Sequence, residues 1–197
     1  VLLKNNNGIL PLSKSSKIYV GGSNADDLGS QCGGWTITWQ GKRGNITEGT
    51  TVQEAIQTAV AGKGEIVDSP EEADVSVIVV GENPYAEGIG DNSELYLSFT
   101  DLIELDKVKK SDKPVLVIMI SGRPMIISDH IKNWDAFVAA WLPGTEGAGI
   151  ADVIFGDYNF TGRLPVTWPR NISQIPINYG DENYAPLYEY GYGLVNN

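Results

Sequence analysis

The sequence predicts an α/β fold: a mostly parallel sheet with helices on both faces, followed by an irregular C-terminal tail. Three observations predict it. The apolar runs within 75–80 and 114–121 are too continuous for a sheet with one wet face, and read as strands buried on both sides. Segments with helical periodicity stand among the strand candidates, at 51–60, 100–109 and 148–155. The main strand candidates end in loops rich in Gly, Pro or acidic residues, as expected where the carboxyl ends of parallel strands carry the chemistry.

Taken in order, Asn5-Asn6-Asn7-Gly8 and Pro11 mark a turn-rich entry, and KIYVG at 17–21 is a short strand by its β-branched and aromatic content. Residues 21–50 are loop-rich; within them CGGWTITWQG at 32–41 reads as a short extended piece or as the wrapping of a pocket. At 51–60 Thr50 or Thr51 caps a helix, Glu54 completes a capping box, and Val52, Ala55, Ile56 and Ala59 share one face before Gly62 ends it. Residues 65–67 form a weak strand, 69–74 a turn or helix start, and 75–80 a strong strand. The helix at 100–109 has Leu102, Ile103, Leu105 and Val108 as its apolar residues and gathers lysines at its C-terminus, where they complement the helix dipole. The strand at 114–121 leads to Gly122-Arg123-Pro124 and an apolar, helix-like stretch through Ile131; a strand at 136–141 leads to the helix at 148–155. Four βα units in sequence give a mostly parallel sheet. From 159 the composition turns to Pro, Tyr, Asn and Gly, the signature of a tail that wraps rather than a second core.

With 197 residues, 42% hydrophobic and 20% charged, the chain suffices for one domain over 1–197. A net charge of -11 repels a phosphate backbone and argues against nucleic acid. No apolar run approaches the roughly 20 residues that span a bilayer, so no membrane partner is expected, and a neutral polar ligand fits better. A single cysteine, Cys32, excludes an internal disulfide, and with a single histidine, His130, leaves too few soft ligands for a zinc site. Neither metal nor cofactor is expected. The opening residues, VLLKNNNGILPL, lack the charged start and apolar centre of a signal peptide and read as the interior of a longer protein.

The stretch VSVIVVGENPYAEGIGDN at 75–92 places Glu82, Glu87 and Asp91 on a loop at the end of a buried strand. Two readings stand for these carboxylates, a solvated or cation-binding acidic loop and acid/base chemistry. Two also stand for Trp35 and Trp39, packed aromatics or indole faces on which a sugar ring stacks. Gly21 to Gly29 has neither the spacing nor the charge of a dinucleotide loop. His130 has no G-x-S-x-G beside it and reads as structural or surface, and Cys32 reads as a small buried thiol rather than a reactive one.

CGGWTITWQG (32–41), GENPYAEGIGDN (81–92), SGRP (121–124), AAWLPGTEGAGIADVIFGDYNFTGRLPVTW (139–168) and the closing YGYGL resemble the second domain of glycoside hydrolase family 3, closest to β-glucosidases and exo-β-glucanases of the β-D-glucan exohydrolase type. The resemblance implies a six-stranded α/β sandwich abutting an N-terminal (β/α)8 barrel, with the substrate, a β-glucan oligosaccharide or β-glucoside, held between them. It implies Glu87 as catalytic acid/base, Trp39 as one wall of the +1 sugar subsite and Trp35 as its packing support. It implies a retaining mechanism whose aspartate nucleophile lies on the barrel, outside these residues, and an extracellular or periplasmic location. Glu82 and Asp91 are left as organisers of the loop.

Overall fold

The computed structural model describes residues 1–195. Six strands, β1 (Leu2–Asn5), β2 (Lys17–Gly21), β3 (Glu65–Val67), β4 (Val75–Gly81), β5 (Val115–Ile120) and β6 (Ala136–Trp141), form one sheet in the order β1-β6-β5-β4-β2-β3. All pairings are parallel except β1 against β6. Four helices, α1 (Leu28–Cys32), α2 (Val52–Val60), α3 (Phe99–Lys110) and α4 (Gly147–Ile154), cover its faces. The expected six-stranded α/β sandwich is the fold observed.

Every residue of β4 and β5 is buried, because alternate side chains enter two separate apolar layers. Val75, Val77, Val79, Leu116, Ile118 and Ile120 pack beneath α2 and α4. Ile78, Val80, Val115, Val117 and Met119 pack beneath α3 and the tail. Helix α2 starts as expected: the Thr51 side chain accepts from the Glu54 amide while the Glu54 carboxylate accepts from the Thr51 amide.

Two elements are absent from the sequence reading. The entry contains strand β1, an antiparallel edge pairing Leu2 with Val138 and Asn5 with Ala136. Helix α1 is only five residues long and is capped by Asp27, which accepts from the Ser30 amide at 2.7 Å. Other expectations change form. Residues 34–40 are turns and bends rather than an extended piece, and His130 lies not in a helix but before a single 3-10 turn, Ile131–Asn133, whereas 69–74 are turn and bend, one of the two forms expected. Among the described residues no helix is long and apolar enough to cross a membrane.

The tail contributes Leu164 and Trp168 to the α3-side core. It is fastened by paired backbone bonds, Trp168 N to Tyr188 O and Leu187 N to Trp168 O, both 2.9 Å. The sheet order reverses between β2 and β4, and an open α/β sheet forms its crevice outside the carboxyl ends at such a reversal. Both loops weighed in the sequence, 32–41 and 82–92, lie at this end.

Candidate active site

The loop after β4 closes into a tight turn in which Gly90 N donates to Ala86 O at 2.8 Å and Ile89 N donates to Glu87 O at 3.1 Å. Gly90 is required there, since a Cβ would stand 2.5 Å from Ala86 O. Glu87 sits at the head of this turn, exposed. The second loop reaches it from 48 residues away: the indole Nε1 of Trp39 donates to Glu87 Oε2 at 2.8 Å. Gly34 permits this approach, because a Cβ would lie 2.1 Å from Tyr85 O. The loop carries local strain, with Trp35 at φ 61° and the β-branched Ile37 at φ 63°. It is held by hydrogen bonds from Trp35 N to Trp39 O at 2.9 Å and from Thr38 N to Thr36 O at 2.7 Å.

Trp35 and Trp39 stand 6.3 Å apart at 49°, and both are exposed, 68% and 54% respectively. Trp35 therefore abuts Trp39 without being part of the core, and neither indole is a packed core aromatic. The carboxyl of Glu87 is held below the usual glutamate range, first by the Trp39 indole, then by its own backbone amide, with a small opposing desolvation and a further contribution from Trp35.

Glu82 occupies a different environment. It accepts from Arg123 Nη2 and Nε at 2.6 and 3.0 Å, from Ser121 Oγ at 2.6 Å and from Tyr85 Oη at 3.0 Å. Arg123 also donates to Gly90 O at 2.6 Å and lies 4.4 Å over the Tyr85 ring. Burial, and behind it the charge of Glu82, push the Tyr85 phenol up to about 12, so it remains a donor at neutral pH. Glu82 thus buckles the loop to the end of β5, while Asp91 is exposed at its far end. On the other side Arg43 bridges Asp27 and Asn83, at 2.7 and 3.0 Å, and also donates to the Ser23 carbonyl. A cleft of about 700 Å³ opens here, lined by Ser23, Arg43, Asn83, Tyr85, Tyr96 and Arg123; Glu87 and Trp39 do not line it. Burial pushes the Cys32 thiol up, away from the thiolate a reactive cysteine needs.

Burial alone would raise the Asp27 carboxyl, but the Arg43 guanidinium and the Ser30 and Gly44 amides outweigh it and hold it below the usual carboxylate range. A folded-state value below the unfolded one, about 3.9, stabilises the fold above that unfolded value. The contribution is lost as pH falls through the folded value. Asp27→Asn is therefore expected to flatten the acid side of the stability–pH curve, followed by tryptophan fluorescence in urea; an unchanged acid slope would contradict the assignment.

Sequence reasoning placed Tyr85 and Arg123 on strand-end loops and Gln40 in the Gly-rich segment, but gave none of them, nor Arg43, a role at this site. Arg123 carried a usable signal, since it follows a buried strand adjacent to β4. Gln40 and Arg43 carried none, because their partners are set by how two loops meet.

Residues 1–195 match the glycosyl hydrolase family 3 C-terminal domain. The chain is 31% identical to a periplasmic beta-glucosidase of Salmonella typhimurium, over 98% of this chain and 33% of that protein. It is 30% identical to a lysosomal beta glucosidase of Dictyostelium discoideum, over 98% of this chain and 28% of that protein. The crystal structure of an exo-1,3/1,4-beta-glucanase from a Pseudoalteromonas species superposes with a TM-score of 0.92 at 38% identity, covering 99% of this chain and 26% of that one. The chain spans a third or less of the length of these proteins.

Proposed function

This chain belongs to the glycosyl hydrolase family 3 C-terminal domain family, and from that premise we propose that it is a single domain forming half of the active site of a retaining, exo-acting β-glucosidase or β-glucan glucohydrolase. The observation that carries the reading is the 2.8 Å bond between Trp39 Nε1 and Glu87 Oε2, on exposed loops at the carboxyl end of the sheet. It unites a proton-transferring carboxyl and an aromatic face at one point. Glu87 is the acid that protonates the glycosidic oxygen as a carboxylate nucleophile attacks the anomeric carbon, then the base that takes a proton from the water that releases the sugar. Trp39 is a wall of the +1 subsite, stacking on the C–H face of the departing sugar. An indole N–H only donates, so Glu87 meets it as an acceptor, through Oε2.

The electrostatics support a missing half. A general acid working near neutral pH needs its pKa raised, whereas Glu87 here is exposed and shifted the other way. A (β/α)8 barrel closing over the loops would desolvate Glu87 and bring a nucleophile carboxylate to about 5–5.5 Å, and both effects raise it. The exposed Trp35, Ile37, Ile89 and Leu142 suit such a cover. No metal or cofactor takes part in this reading. The periplasmic and lysosomal relatives support a non-cytosolic enzyme, extracellular or periplasmic.

The purified chain is expected to show no turnover of an aryl β-glucoside, and turnover is expected when the same chain is joined to its barrel. Turnover by the chain alone, abolished by Glu87→Ala, would overturn the half-site reading. Measurable binding of laminaribiose to the chain alone would favour the alternative, a non-catalytic carbohydrate-binding or scaffold domain.

A further inference from the structure

We infer that Gln40 is a positioning residue that sets where the Glu87 carboxyl stands, an inference that rests on the acid/base reading of Glu87. Its side-chain amide is used at both ends. Nε2 donates to Glu87 O at 3.1 Å, and Oε1 accepts from Ala86 N at 2.9 Å. With Trp39 beside it on the same loop, consecutive residues grip Glu87 at its side chain, its carbonyl and the preceding amide.

The other bonds of the turn do not do this. Gly90 N to Ala86 O and Ile89 N to Glu87 O are internal to it and move with it. Arg123 holds its far end, through Gly90 O. Gln40 is the tie at the end where Glu87 begins, and it comes from the loop that carries the sugar wall. The distance between the acid and the +1 wall is therefore set within one clasp rather than through the sheet. Trp39 alone cannot replace it, because a bond to a side chain on a free backbone fixes a distance and not the direction of the carboxyl. Without Gln40 the carboxyl relaxes with its turn, and a displacement near 1 Å costs about 100-fold in proton transfer.

The test is made in the full-length enzyme with Gln40→Met, which keeps the side-chain length and removes both hydrogen bonds, beside Glu87→Gln. Active sites are counted by trapping the glycosyl-enzyme with a 2-fluoroglucoside, and kcat/KM, which reports the step up to departure of the leaving group, is measured on an alkyl and on a dinitrophenyl β-glucoside. Gln40→Met is expected to lose about 10- to 100-fold on the alkyl glucoside, which needs a proton donor, and much less on the dinitrophenyl glucoside. A merely structural role would lower the count of active sites and leave the ratio of the two rates unchanged. If that count falls, Gln40→Glu, which keeps the bond to Ala86 and loses the one to Glu87 O, is expected to show an intermediate split; equal losses on both substrates in either variant overturn the inference. If Glu87→Gln shows the split and Gln40→Met does not, only the positioning role falls. If Glu87→Gln itself loses equally on both, the acid/base reading falls and the role of Gln40 with it.

Discussion

Glu87→Gln in the full-length enzyme is expected to lower kcat/KM, which reports the step up to departure of the leaving group, by about 10²- to 10⁴-fold on an alkyl β-glucoside, the usual worth of a positioned proton donor, and far less on a dinitrophenyl β-glucoside. The asymmetry follows from the leaving group. Dinitrophenolate departs without a proton, whereas an alkoxide must be protonated as the bond breaks. The substitution suits the site because the side chain keeps its shape, so the turn closed by Gly90 N and Ala86 O at 2.8 Å and the clasp of Gln40 on the backbone are untouched. The amide can still present its oxygen to the Trp39 indole, so the sugar wall stays in place. A loss shared equally by both substrates would show that Glu87 is not the donor, and no loss at all would remove it from the mechanism.

Trp168→Ala is expected to destabilise the fold by about 3–5 kcal/mol, the usual cost of truncating a buried aromatic. Trp168 is 1% exposed and meets Phe137 edge-on at 5.5 Å, Trp141 at 6.1 Å and Tyr188 edge-on at 6.5 Å. Its indole N–H donates to Met125 O at 2.8 Å, so removal leaves both a cavity and a buried carbonyl without its donor. Against a total stability of about 5–15 kcal/mol this is a large fraction. Urea unfolding of the chain should show a lower midpoint with an unchanged slope. A midpoint equal to the wild type would mean that the tail is an appendage, not a lid on the α3-side core.

Much of the fold was legible because its signals are local. Strand β6 was expected at 136–141 and is observed as Ala136–Trp141, and α3 differs from its expected bounds by one residue at each end. Periodicity, capping by Thr51, and continuous apolar runs act over a few residues and survive in the chain as written. Strand β1 was not legible, because its short pair Leu2 and Leu3 sits beside an Asn-rich turn and its hydrogen-bonding partner is the edge of β6. That edge exists only once the sheet has formed. The carboxylates separated for a similar reason: Glu82 and Glu87 look alike in sequence, yet one is folded under Arg123, Ser121 and Tyr85 and the other is exposed on its turn, met by the Trp39 indole.

What the sequence by itself determined is the class of fold, most of its elements, and through its motifs the identity of the residues proposed for catalysis and for sugar binding, Glu87 and Trp39. What only the tertiary structure decided is how those residues meet. The Trp39–Glu87 bond spans 48 residues, the Gln40–Ala86 bond 46 and the Arg123–Glu82 pair 41. Contacts at such separations leave no period in the chain, because the loops that make them have none. They arise because parallel strands deliver their carboxyl ends to one edge of the sheet, where glycines at 34 and 90 let backbones close to distances no side chain would allow.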